Sequence, residues 1–179
     1  MVVLETTLGT IKIGLHKDKS PISVANFIKY VQARHYDGTI FHRVKPGFMA
    51  QGGGYDTKMV EKVTMSPIRN EGRNGLRNTR GSVAMARTND PNSAGAQFFI
   101  NVKDNHFLDF GIQGAGYAVF GEVLEGMDVV DKIVSVQTTQ RGDHSDVPVV
   151  PIVIKTAREA VAAPPGAAPK PRPSASPKP

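Results

Sequence analysis

The sequence contains no cysteine. That removes disulfide frameworks, thiolate nucleophiles, Cys-liganded zinc and iron–sulfur sites, and any redox role through sulfur. Long apolar runs are missing as well. The longest, Val147 to Ile154, is broken by Pro148 and Pro151 and falls far short of the roughly 20 residues of a membrane helix. Met1-Val2-Val3-Leu4 runs straight into Glu5 with neither a basic n-region nor an apolar h-region. No secretory signal is read, and a cytoplasmic location with no membrane partner is expected. No Gly-Lys-Ser/Thr triplet follows Gly52-Gly53-Gly54, and Gly111 to Tyr117 lacks the Gly-x-Gly-x-x-Gly spacing, which excludes a phosphate loop and a dinucleotide fingerprint. The five histidines show neither HxxxH nor HxH spacing, so neither a metal nor another cofactor is expected. His144, Ser145 and Asp146 are consecutive, whereas triad members converge from separate elements; a solvated turn is the reading there.

What is present is enough for one domain: 179 residues, 40% of them hydrophobic, support a single sizeable core. The net charge is +6, and three of those charges, Lys170, Arg172 and Lys178, sit in the last sixteen residues beside seven of the thirteen prolines. Residues 1–158 are read as the domain and 159–179 as a Pro/Ala-rich basic tail that builds no core and stays disordered. Arg69, Arg73, Arg77 and Arg80 would line up on a helix, but Gly72, Asn74, Gly75 and Asn78 oppose one, and no aromatics interleave for base stacking. A solvated loop is favoured over a nucleic-acid contact.

Val2 to Thr6 and Thr10 to Leu15 flank Thr7-Leu8-Gly9, and Ile11, Ile13 and Leu15 alternate with Lys12 and Gly14. This period of two predicts an N-terminal hairpin. Ser20 as N-cap, Pro21 at the first helical position and an apolar stripe at Val24, Phe27, Ile28 and Val31 predict a helix ended by Asp37-Gly38. A second helix is predicted from Met127 to Val134, after Gly126. Short β-like runs cover Thr39 to Val44, Phe48 to Gln51, Ser82 to Ala86, Gln97 to Val102, Tyr117 to Val123 and Val149 to Thr156. Two helices among about eight short strands predict a mainly β barrel or sandwich.

One constellation remains. Phe41 to Gly53 places Arg43, Phe48, Met49 and Gln51 in one short segment, and Gln97-Phe98-Phe99 follows the small residues Ser93 to Ala96. Together with Gly81 to Ala86, Ala96 to Ile100 and Ala118 to Gly121, in this order and at these separations, the sequence resembles the cyclophilins, the cyclosporin-binding peptidyl-prolyl cis–trans isomerases, and more closely their short bacterial cytoplasmic members. The resemblance covers residues 1 to about 158 and leaves out the tail.

The resemblance implies a closed eight-stranded antiparallel β-barrel capped by two α-helices, with an external groove for an X-Pro peptide. It implies a proline pocket lined by Phe48, Met49, Phe99, Leu108 and Tyr117 with Arg43 at its edge, and a groove completed by Gln51, Ala86, Arg87 and Gln97. Phe107 stands where eukaryotic relatives commonly carry Trp, so weak cyclosporin binding is expected. Tyr117 replaces the usual pocket His and Arg87 a usual groove Asn, which bears on the residue preferred before proline. Proline-containing peptides and unfolded or flexible chains are the implied partners, and a monomer without nucleic acid is expected.

Arg43 has a chemical rationale on that reading. Amide resonance sets a barrier of about 18–20 kcal/mol to rotation. At ninety degrees the resonance is lost, and the prolyl nitrogen gains a lone pair that accepts a hydrogen bond. A guanidinium, always charged and presenting a fixed fork of donors, favours that twisted state over both planar ones. The alternative from another class is a proline-peptide binding module or holdase whose isomerisation is incidental; ordinary core packing for Phe48 and Phe99, and a surface ion pair for Arg43, are the bland readings.

Overall fold

The computed structural model describes residues 1–161; residues 162–179, the greater part of the expected tail, lie outside the described residues. The chain begins with β1 (Val2–Thr6) and β2 (Gly9–Leu15), the predicted hairpin. It continues through α1 (Pro21–Gln32), β3 (Arg43–Lys45), β4 (Met49–Gly52), β5 (Ser82–Met85) and β6 (Phe98–Asn101). A single 3-10 turn at His106–Leu108 precedes β7 (Val119–Glu125), α2 (Met127–Val134), β8 (Thr138–Arg141), β9 (His144–Pro148) and β10 (Ile154–Glu159).

Eight of these strands form one antiparallel sheet in the order β10-β1-β2-β7-β5-β6-β4-β3. The sheet curls until its edges meet: Phe41 N donates to Ile152 O at 3.0 Å, Ile154 N donates to Thr39 O at 2.8 Å, and Ile40 bridges Val153. Curling buries the inner faces of all eight strands in one core built around Leu4, Ile11, Ile13, Phe98, Ile100 and Phe120. Each such side chain removed from water contributes about 1.5–3 kcal/mol.

The helices cap this core. Val24, Phe27, Tyr30 and Val31 bury one face of α1. Ser20 occupies the N-cap position, but its hydroxyl donates to Val119 O at 2.6 Å instead of capping the helix. The N-terminal donors are met from elsewhere: the Glu71 carboxylate accepts from Ile22 N at 3.0 Å, Ser23 N at 2.8 Å and Ser23 Oγ at 2.7 Å. An anion at this end of a helix also complements its dipole. Val129, Val130, Ile133 and Val134 anchor α2. Gly126 starts it at φ 99°, where a Cβ would lie 2.4 Å from Thr10 O, so only glycine fits.

Several boundaries differ from the sequence reading. The first helix stops at Gln32, because Arg34 turns into the left-handed region at φ 55° ahead of Asp37-Gly38. The run Thr39 to Val44 shrinks to Arg43–Lys45, its first residues being used for edge closure. The last strand begins at Ile154, not Val149, and runs to Glu159. His144 to Asp146 are not a turn: they belong to β9, which pairs with β8 in a separate two-stranded ribbon, and the turn is Gly142-Asp143. Among Arg69, Arg73, Arg77 and Arg80 no helix forms; Arg73 lies over the Phe110 ring at 5.1 Å and Arg80 makes a two-pronged pair with Asp131 at 2.8 and 2.9 Å. No helix among the described residues is long and apolar enough to cross a membrane.

Candidate active site

Strand parity builds the site. In β4, β5 and β6 successive side chains point to opposite faces, so Ala50, Val83, Met85, Phe98 and Ile100 enter the core while Met49, Gln51, Ala84 and Phe99 face outward. Register then lines the outward residues up. Arg43 pairs with Gln51, Gln51 with Phe99, Phe99 with Ala84 and Ala84 with Val119, giving one row across five strands. Outward apolar side chains need their own cover. Phe48, Leu76, Leu108 and Tyr117 supply it, forming a second, smaller cluster with Met49, Ala84, Ala86, Phe99 and Val119 outside the barrel.

Between this cover and the row lies a cavity of about 190 Å³ lined by Arg43, Phe48, Met49, Gln51, Ala86, Arg87, Phe99, Leu108 and Tyr117. Two expected residues stand apart from its lining. Gln97 lines an adjoining hollow of about 210 Å³, walled also by Glu61, Thr64, Thr88 and Ser93, that shares Gln51, Ala86 and Arg87 with the first. Phe107 is 43% exposed and stacks on Phe48 from outside, with centroids 5.7 Å apart and planes at 26°.

The polar groups are held in distinct ways. Gln51 Nε2 donates to Gln97 Oε1 at 2.9 Å, which ties the two hollows together. The Arg87 guanidinium is held within the protein: Nε and Nη2 donate to Gly116 O at 3.2 and 2.9 Å, Nη1 donates to Thr88 O at 2.9 Å, and the group lies 4.4 Å from the Tyr117 ring centre. Tyr117 in turn meets Phe99 edge to face at 5.7 Å. Arg43 is half-buried, with its guanidinium 5.9 Å from the Phe48 ring centre. Among the described residues it joins none of the ion pairs, so the surface-pair reading does not describe it.

Behind Arg43 lies His42, 4% exposed, with its ring 4.7 Å from that of Tyr55 and 6.1 Å from that of His144. Its Nδ1 has no hydrogen-bond partner among the described residues. Burial, with smaller contributions from the His144 and Arg43 charges, lowers its pKa to about 4, so the ring is neutral at physiological pH. Sequence reasoning missed the buried asparagines behind the pocket, Asn78, Asn101 and Asn105. The parity of β6 signals Asn101, two residues after Phe99; nothing local signals the other two.

Comparison with known proteins bears on the family and the fold. The sequence profile described as cyclophilin type peptidyl-prolyl cis-trans isomerase/CLD matches residues 1–159. The peptidyl-prolyl cis-trans isomerase of Acinetobacter baylyi is 58% identical over 154 residues, covering 86% of this chain and 82% of that one. Peptidyl-prolyl cis-trans isomerase B of Escherichia coli is 54% identical over 159 residues, 87% of this chain and 97% of its own. Among solved structures, a cyclophilin type isomerase of Cryptosporidium parvum, crystallised in the presence of the dipeptide Ala-Pro, superposes with a TM-score of 0.74 at 24% identity, over 90% of this chain and 99% of that one. A cyclophilin of Hirschia baltica gives 0.63 at 30% identity, over 88% and 72%.

Proposed function

The chain belongs to the cyclophilin family and is a peptidyl-prolyl cis–trans isomerase, and from that premise we propose that Arg43 is its catalytic residue and that the cavity beside it seats the proline ring. What carries the proposal is register: the one row that presents Phe99 to the cavity also presents Gln51 and, at its end, Arg43.

A pyrrolidine ring is apolar and compact, and Phe48, Met49, Phe99, Leu108 and Tyr117 offer it an apolar seat. Gln51, oriented by Gln97, and backbone groups near Arg87 hold the flanking carbonyl and amide, so that one side of the bond rotates against the other. Arg43 stands at the cavity edge without a carboxylate partner among the described residues, its donors available to the prolyl nitrogen when the amide twists. The twisted nitrogen accepts a hydrogen bond that the planar one does not, so the interaction is stronger in the transition state than in the ground states. Each tenfold acceleration needs about 1.4 kcal/mol. One charge-assisted bond plus orientation supplies several powers of ten.

The proposed substrates are X-Pro bonds in unfolded or flexible chains, where isomerisation takes tens of seconds unaided, and the protein acts as a monomer. Nucleic acid has no part in this reading; Arg73 lies over the Phe110 ring and Arg80 pairs with Asp131 at the surface.

The test follows the exchange of cis and trans X-Pro in a short unstructured peptide by NMR, with catalytic amounts of the protein and of Arg43→Ala. Fast exchange that the variant loses is the expected result. Wild-type exchange rates in a folded Arg43→Ala protein would remove Arg43 from the mechanism.

A further inference from the structure

Three asparagines behind the pocket are nearly sealed from solvent: Asn78 and Asn101 are 0% exposed and Asn105 is 3% exposed. Burying a side-chain amide is costly unless its hydrogen-bonding groups are met, and here they meet one another. Asn105 Nδ2 donates to Asn101 Oδ1 at 2.8 Å and to the backbone carbonyl of Phe48 at 2.9 Å. Asn101 Nδ2 donates to Asn78 Oδ1 at 3.1 Å and to Ser82 Oγ at 2.9 Å. Asn78 Nδ2 continues to Asp109 Oδ1 at 3.1 Å and to Tyr117 O at 3.4 Å.

The network reaches three pocket walls that belong to separate parts of the chain. Phe48 sits in the β3–β4 turn and its carbonyl is held twice, by the Asn105 amide and by Val102 N at 3.1 Å. Leu108 N donates to Asn105 O at 2.9 Å, and Tyr117 N donates to Leu108 O at 2.9 Å. Apolar contact is non-directional and leaves such walls free to slide. Hydrogen bonds of this geometry fix both distance and angle. Both hydrogens of the Asn105 amide are committed to this task, one to the strand that carries Phe99 and one to the wall that carries Phe48.

We infer that Asn105 is a positioning residue for the proline pocket, setting the separation of the Phe48 and Leu108 walls and thereby the affinity for proline. The inference rests on the pocket proposed above. Asn105 acts on substrate binding and leaves the rotation step, assigned to Arg43, untouched. A merely structural asparagine would lower stability with no change in substrate affinity.

The experiment measures kcat and KM for an Ala-Pro tetrapeptide by NMR exchange for the wild type, Asn105→Ala, Ser82→Ala and Arg43→Ala. Asn105→Ala loses both side-chain bonds and is expected to raise KM about fivefold, the effect of losing the one that holds the Phe48 wall, with kcat within about twofold. Ser82→Ala, at the far end of the network, lowers the melting temperature and leaves KM unchanged. A folded Asn105→Ala protein with wild-type KM overturns the inference, as does a loss confined to kcat. If Asn105→Ala does not fold, Asn105→Ser retains one donor and is expected to raise KM by a smaller factor; unchanged KM there is equally fatal. In the wild type, the Asn105 side-chain amide protons are expected to exchange slowly with solvent, and exchange at the rate of an exposed asparagine overturns the inference without any substitution. If Arg43→Ala keeps wild-type kcat while Asn105→Ala raises KM, the Arg43 assignment falls and the positioning role stands. The reverse pattern removes the positioning role alone.

Discussion

Arg43 and Phe48 face each other across the turn that joins β3 to β4, the guanidinium carbon 5.9 Å from the ring centre. The turn needs Gly47, whose φ of 68° other residues rarely adopt. The negative face of the ring steadies the cation, so one hairpin supplies both a wall of the cavity and the charge at its edge.

Arg43→Lys keeps the charge and loses the planar fork of donors. Isomerisation is expected to fall about tenfold or more, and Arg43→Ala about a hundredfold or more, the range for removal of a transition-state donor. Thermal unfolding should change little, since the side chain joins no ion pair among the described residues and Arg43→Ala loses only the contact with the Phe48 ring, about 0.5–1 kcal/mol. Equal activity of Arg43→Lys and the wild type would show that charge alone suffices.

Acid should destabilise the fold through His42. Its folded pKa of about 4 lies below the ordinary histidine value of 6.5, so the unfolded chain binds the proton more readily. Stability is complete above pH 6.5 and declines as pH falls toward 4, by on the order of 3 kcal/mol for a shift of this size. His35, also lowered by burial, acts in the same direction. Urea unfolding at pH 7, 5.5 and 4.5 should therefore show a steeper loss in the wild type than in His42→Phe; parallel curves refute the assignment.

Glu71 caps α1 from a loop 48 residues away, through three hydrogen bonds. Glu71→Ala is expected to cost about 1–2 kcal/mol and to lower the melting temperature by roughly 3–6 °C. Because Glu71 is outside the cavity, kcat/KM should not change. Calorimetry and the exchange assay on one preparation check both halves.

Cyclosporin should bind weakly. Phe107, stacked on Phe48, brings an aromatic face but no N–H donor, and the protein has no tryptophan to supply one. Titration calorimetry is expected to give a dissociation constant in the micromolar range or weaker; a nanomolar value contradicts this.

The legible parts of the fold were those written in local pattern. Alternation at Ile11, Ile13 and Leu15 gave the hairpin, and Met127–Val134 is a helix at the residues its spacing predicted. The first helix ended early because tertiary need, the aromatic packing of Tyr36 against Phe27 and Phe98, overrides the weaker stop signal at Asp37-Gly38. The β8–β9 ribbon escaped notice because its strands are largely exposed and polar, with no apolar alternation to mark them. At the site, the adjacent residues Phe98 and Phe99 read identically as sequence. Only pairing with β4 and β5 decides that the first enters the core and the second the groove. The asparagine network was illegible for a related reason: its partners come from segments brought together by the barrel.

The division between Phe98 and Phe99 also makes catalysis a reporter of strand alignment. A slip of one residue in β6 would turn Phe99 and Asn101 inward and expose Phe98 and Ile100. A polar amide would then replace aliphatic volume in the core while the pocket lost its floor. A chain misaligned in this way can retain its strand content and much of its compactness, yet it has no seat for proline. Turnover per molecule thus counts correctly registered barrels, which spectroscopic measures of secondary structure do not.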